Sequence, residues 1–257
     1  MNIPLHFRQI GEGQPLILHH GIFGSSDNLM TVSRSLADRG YAVYALDARN
    51  HGQSPRSPLF NYPAMAADVE QFLVEHQLDQ VTLVGHSMGG KVAMQYVATY
   101  ARAARLVVVD IAPKFYPVHH DHIIQALLAV PLAEIQSRKE AEEILARHIA
   151  KADERQFILK NLYRREDGQF DWRINVPVLA QEIYQVGGDV LPPGTYSLPA
   201  LFLAGSDSSY ILKEDEKTIH QLFPQAQIQT IAGAGHWVHA QQPQAFVDAI
   251  DHFVQAT

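Results

Sequence analysis

Hydrophobic positions along the first 113 residues fall into two patterns that take turns. Unbroken apolar runs, LILH (16–19), AVYAL (42–46), VTLV (81–84) and LVVV (106–109), are each followed within two residues by glycine or aspartate, as expected of strands buried on both faces. Between them, over 29–38, 62–75 and 88–100, apolar residues recur at helical spacing. The alternation predicts an α/β protein whose mostly parallel sheet is flanked by helices.

From 114 to 197 the strand pattern stops, and apolar residues keep helical spacing, as in Ile123, Ile124, Leu127, Leu128 and in Ile144, Leu145, His148, Ile149. Ser137 followed three residues later by Glu140 reads as a capping box, and Pro177 suits the first turn of a helix beginning near Asn175. Runs at 200–204 and 228–231 resume the sheet, and 243–256 reads as a closing helix. The expected organisation is one core domain from residues 1–113 and 198–257, interrupted by a helical insertion at 114–197.

A chain of 257 residues with 47% hydrophobic content can bury one large core. Its formal charge of -7, without a stripe of lysine and arginine, argues against a nucleic-acid partner. Cysteine is absent, which excludes disulfides, a thiol nucleophile and thiolate metal sites. The opening MNIPLHFRQI has neither the basic start nor the apolar stretch of a secretory signal, and no run approaches the roughly eighteen apolar residues of a membrane span, so a cytoplasmic protein without membrane attachment is expected.

Gly85-His86-Ser87-Met88-Gly89 lies between a predicted strand and a predicted helix, the context that the Gly-x-Ser-x-Gly elbow of α/β hydrolases requires. Glycines at its two ends let strand and helix approach while Ser87 projects above the sheet edge. A serine hydroxyl needs an imidazole to take its proton. His236, in the glycine-rich loop after the last strand, has the chain position of that base, whereas His239 reads as a surface or packing residue. Two aspartates at strand ends, Asp110 and Asp207, are candidates for the acid that orients the imidazole. The run His119-His120-Asp121-His122 is read as a polar helix entry rather than a metal site, because consecutive residues rarely converge on one ion.

DARNHGQSPR, VGHSMGGKVAM, VVVDIAP, WRINVPVL and GAGHWVHAQQP together resemble the small bacterial YbfF-type esterases of the α/β-hydrolase superfamily. The resemblance spans nearly the whole chain and implies an eight-stranded, mostly parallel sheet with a helical cap over the active site. It implies hydrolysis of carboxylic esters, an association with acyl-CoA thioesters, and no cofactor. It further implies a catalytic Ser87, His236 and Asp110, with Asp207 as the alternative acid; the usual place for an acid in that later loop is held here by Ser208. The loop His20-Gly21-Ile22 would supply one oxyanion donor, so the amides of Ile22 and Met88 would face the developing charge, each worth about 3 to 4 kcal/mol in the transition state. Phe115, Phe157, Phe170 and Trp172 are candidates for an acyl pocket. Carbon-carbon bond hydrolases and perhydrolases share the serine elbow and stand as alternatives, as does a non-catalytic receptor of the same fold; halide-releasing and epoxide-opening enzymes need aspartate at the elbow.

Overall fold

A computed structural model describes residues 2–117, 120–188 and 191–257. Its core elements are β1 (Phe7–Ile10), β2 (Gln14–His19), α1 (Ser26–Ala37), β3 (Tyr41–Leu46), α2 (Tyr62–Glu75), β4 (Val81–His86), α3 (Met88–Thr99) and β5 (Ala103–Val109). Next come α4 (Asp121–Ala129), α5 (Arg138–Leu145), α6 (Ala152–Leu159), β6 (Leu162–Arg164), β7 (Phe170–Trp172), α7 (Val176–Glu182) and α8 (Tyr184–Gly187). The core then resumes with β8 (Ala200–Gly205), α9 (Asp215–Leu222), β9 (Ala226–Ile231), α10 (Val238–Gln241) and α11 (Pro243–Ala256).

Among the described residues the main sheet has seven strands, in the order β1-β3-β2-β4-β5-β8-β9, rather than the eight implied by the resemblance. Only β1 runs antiparallel to its neighbour. Ahead of β1, the His6 amide donates to Ser54 Oγ at 2.8 Å and the His6 carbonyl accepts from the Asp47 amide at 2.9 Å, so this backbone is committed to the loop after β3 instead of to another strand. Strands β3, β4 and β8 are buried at every position, which is why their sequences are mostly apolar. One hydrophobic layer, including Leu83, Val92, Leu106 and Phe202, covers one face, and another, including Leu36, Val107, Phe246 and Ile250, covers the other.

The segment between β5 and β8 carries the expected helices, and Ser137 caps α5 by accepting the Glu140 amide at 3.2 Å. It also contains an antiparallel hairpin, β6–β7, where only helices were expected. Strands of three residues are too short to show alternation, and the Asp167-Gly168 turn, with Gly168 at φ +86°, was their one local signal. Several side chains tie this segment to the core, among them Arg56, which pairs with Asp171, and Lys114, which pairs with Asp215 at 2.6 Å. Asn161 Nδ2 donates to the Phe23 carbonyl at 2.8 Å, Asn175 Nδ2 to Asn50 Oδ1 at 2.9 Å, and Tyr62 OH to the Val186 carbonyl at 2.7 Å. Buried Lys91, one turn beyond Ser87, donates to the carbonyls of Lys114, Gly187 and Gly188. No helix among the described residues is long and apolar enough to cross a membrane.

Candidate active site

Strand β4 passes into α3 through Ser87, whose backbone is held at φ 52°, ψ -117°. L-residues seldom adopt such a conformation, and the surroundings must enforce it. A Cβ on Gly85 would lie 2.1 Å from the Gly89 carbonyl oxygen, and one on Gly89 would lie 2.3 Å from that of His19. Only glycine fits at either place. The turn is closed by Ser87 N–H donating to the Val109 carbonyl at 2.9 Å, with the Ser87 carbonyl accepting from Gly90 and Lys91.

Asp110 ends β5, beside the nucleophile strand, and is fully buried. It also has positive φ, +50°, which turns its side chain from the strand toward the sheet edge. Its Oδ1 accepts the Gly205 amide at 3.0 Å, and its Oδ2 accepts both His236 Nδ1–H at 2.8 Å and the Ser208 hydroxyl. Ser208 thus occupies the place of an acid in the loop after β8 and donates to the aspartate that ends the preceding strand. Asp207 is exposed, its carboxylate takes the Ser206 hydroxyl at 2.9 Å, and its amide donates to Ala234. Of the two aspartates proposed from the sequence, Asp110 is the one joined to His236.

Two further residues hold His236 in place. Tyr210 stacks on it with ring centroids 3.9 Å apart and planes 20° apart. His86 Nε2–H donates to the His236 carbonyl at 2.8 Å, and its ring packs 4.8 Å from both His236 and His239. Burial, reinforced by His239 and His236 nearby, pushes His86 well below its ordinary pKa, so it acts as a neutral donor. His239 is likewise buried rather than at the surface, and burial lowers it to about 4.

Ser87 and His236 open onto one cavity of about 420 Å³ without a direct hydrogen bond between them, a spacing common in unliganded acyl-transfer sites. The cavity is also lined by Gly21, Ile22, His86, Tyr210 and Trp237 from the core, and by His122, Lys151 and Phe157 from the insertion. The Ile22 amide has no acceptor among the described residues, and Met88 opens α3, where first-turn amides have no partner within the helix. Met88 borders a small recess behind Ser87, together with Tyr62, Ile111, Tyr116 and Val186.

Of the four aromatic residues expected at an acyl pocket, only Phe157 lies on the cavity wall, packed 5.6 Å from Trp237. Phe115 points to solvent, and Phe170 and Trp172 are buried in the core as the β7 face of the hairpin. Residue type alone had suggested them; the hairpin turns their side chains inward. His119 lies outside the described residues, and no group able to hold a metal is found among the described ones. Neither Tyr210 nor Trp237 was anticipated, though Trp237 directly follows the base in sequence.

Residues 14–243 match the family model described as alpha/beta hydrolase fold. The chain belongs to that family. It is 42% identical over 243 residues to Esterase YbfF of Escherichia coli (strain K12), covering 93% of this chain and 92% of that protein. To the sn-1-specific diacylglycerol lipase ABHD11 of Mus musculus it is 41% identical over 247 residues, covering 93% of this chain and 80% of the relative. A solved structure described as a marine microorganism esterase superposes with a TM-score of 0.95 at 40% identity, covering 98% of this chain and all of the other.

Proposed function

We propose that this protein is a serine esterase in which Ser87 is the nucleophile, His236 the general base and acid, and Asp110 the group that orients the imidazole. The observation carrying this reading is the Asp110 Oδ2 to His236 Nδ1 hydrogen bond of 2.8 Å, made by an imidazole that faces the same cavity as a serine on a strained elbow. Because the carboxylate can only accept, Nδ1 carries the proton and Nε2 is left basic toward the cavity. Ser87 Oγ then attacks the acyl carbonyl while its proton passes to His236 Nε2. The amides of Ile22 and Met88 stabilise the oxyanion, and collapse expels the alcohol with that proton. Water repeats the sequence on the acyl-enzyme, releasing the acid and restoring Ser87.

The insertion, residues 114–197, serves as a cap over the site, with Phe157 forming part of the substrate wall. Relatives named esterase and diacylglycerol lipase support oxygen esters as substrates; acyl-CoA thioesters fit the same chemistry and form the second arm of the test. Turnover of p-nitrophenyl butyrate and of butyryl-CoA is measured with the parent protein and with Ser87→Ala. The parent should hydrolyse the ester, and the variant should lose at least about 10⁴-fold in kcat with an unchanged Tm. Retained activity in the folded variant would refute the assignment.

A further inference from the structure

Behind the Ile22 amide lies an imidazole for which the esterase reading has given no role. His20 is buried, its Nδ1 lies 2.7 Å from the Gly21 carbonyl oxygen, and its Nε2 lies 3.0 Å from the Ala48 amide nitrogen. A carbonyl only accepts and an amide only donates, so both contacts are satisfied by one species alone: neutral imidazole with its proton on Nδ1. Burial, with His51 and His19 close by, drives the pKa of His20 well below 6.5 against the pull of Asp47, which keeps that species in place.

The Gly21 carbonyl and the Ile22 N–H belong to one planar trans peptide, so they point in opposite directions. Gripping the carbonyl from behind therefore fixes where the N–H aims. The grip is double, because the Gly24 amide also donates to the Gly21 oxygen at 3.0 Å. On the cavity side the loop is tight against the nucleophile: a Cβ placed on Gly21 would lie 3.3 Å from Ser87 Cβ. The next peptide is held in the same way. The Phe23 amide donates to His51 Nε2 at 3.2 Å while His51 Nδ1–H donates to the Arg49 carbonyl at 2.9 Å, keeping Phe23 at φ +60°.

We propose that His20 is a positioning residue for the oxyanion site: its Nδ1–H, donated to the Gly21 carbonyl, both orients and polarises the peptide whose N–H, at Ile22, meets the oxyanion. This rests on the esterase reading and extends it. A hydrogen bond accepted by a peptide carbonyl strengthens the donor at the other end of that peptide, by about 10–30%, so the effect of His20 is larger on the charged transition state than on the neutral bound ester.

Two variants separate the contacts. In His20→Asn the side-chain amide nitrogen takes the place of Nδ1 and keeps the donor to Gly21; in His20→Gln the oxygen reaches the place of Nε2, keeping the acceptor for Ala48 and losing that donor. His20→Gln should lower kcat about tenfold with KM within about twofold, and should weaken inhibition by a trifluoromethyl ketone, which forms an oxyanion on Ser87, by the same factor. His20→Asn should stay within about threefold of the parent on both measures. Unchanged kcat in His20→Gln, or equal losses in the two variants, would overturn the proposal. Nitrogen-15 NMR of the parent protein gives a test independent of variant folding: His20 should be the Nδ1–H tautomer, and the Nε2–H tautomer or an imidazolium at pH 7 refutes it. Fluorophosphonate labelling of Ser87 accompanies each measurement. An unlabelled, inactive parent marks failure of the esterase reading, whereas a labelled parent with an unaffected His20→Gln marks failure of this proposal alone.

Discussion

The carboxyl edge of the sheet and the insertion both face the cavity, but they are built differently. At the sheet edge, Asp110 is fixed by a strand end and three hydrogen-bond donors, His236 by a carboxylate, a stacked ring and a carbonyl contact, and Ser87 by a turn that only glycine neighbours allow. The segment between β5 and β8 offers His122 and Phe157 from helices of nine and eight residues and Lys151 from just ahead of the second, and it is tied to the core by side-chain contacts spread along its length, among them the Lys114–Asp215 and Arg56–Asp171 ion pairs. The difference separates two tasks. In the mechanism proposed above, the reacting groups, which must be placed within fractions of an ångström, sit where the backbone is most constrained, and substrate choice falls to the segment between β5 and β8, where variation is better tolerated.

The sharpest way to break that division is at the acid. Asp110→Asn should lower kcat by about 10³ to 10⁴-fold, because the amide favours the wrong imidazole tautomer, while Asp207→Asn should remain within about twofold of the parent. Steady-state hydrolysis of p-nitrophenyl butyrate decides it. If the two results are exchanged, the carboxylate at the end of β5 is structural and the loop after β8 carries the chemistry.

A smaller effect is expected on stability from the elbow itself. In Gly89→Ala the new methyl group would lie 2.3 Å from the His19 carbonyl oxygen and 2.7 Å from that of His20. Neither atom can move without shifting β2 and the oxyanion loop, so the variant should lose about 3 kcal/mol or more, read as a lower midpoint in urea. Substitution at Gly168, where an added Cβ meets nothing within 4 Å, carries only the strain of φ +86° and should cost about 1 kcal/mol. Equal losses at the two sites would mean that the sheet edge is no more constrained than the insertion.

Acid should also act on the edge. Burial lowers His19, His51 and His239 to about 4 each, below the unfolded value near 6.5. Between those values the unfolded chain binds more protons than the folded one. The stability from keeping these rings neutral is therefore complete above pH 6.5 and is lost as pH falls toward 4, by about 1.4 kcal/mol per pH unit for each ring. Thermal unfolding followed from pH 7 to pH 4.5 should show Tm falling steeply across that window, and His239→Phe should flatten the fall. A Tm independent of pH would mean that these rings are solvated.

Ser87 and His236 could be proposed from the sequence because the elbow and the glycine loop are local signals set by spacing. Which aspartate pairs with His236 was not legible from residues alone, since an aspartate after an apolar run looks the same after β5 as after β8; strand order, with β5 between β4 and β8, is what brings Asp110 to the imidazole. Tyr210 carries no motif, and the motif positions of His86 and Ser208 do not reveal their contacts, which join segments far apart in sequence. Strand β1 and the hairpin were missed because three or four residues cannot display a period. Phe115, Phe170 and Trp172 show the converse weakness: aromatic type names a residue that will pack, without saying against what.

Phe157 offers the mildest test and the one aimed most directly at the insertion. It is half-buried and packs on Trp237 at the cavity wall. Phe157→Ala should therefore remove contact area with a long acyl chain while leaving the carbonyl in place. KM for p-nitrophenyl octanoate should rise about three- to tenfold, equivalent to roughly 1 kcal/mol of lost apolar contact, with kcat for p-nitrophenyl acetate within about twofold of the parent. A fall in acetate kcat as large as the octanoate effect would mean that the insertion also sets the geometry of the reacting groups. In that case its polar ties to Phe23 and Asn50 transmit catalytic alignment, and the two regions form one mechanism instead of two.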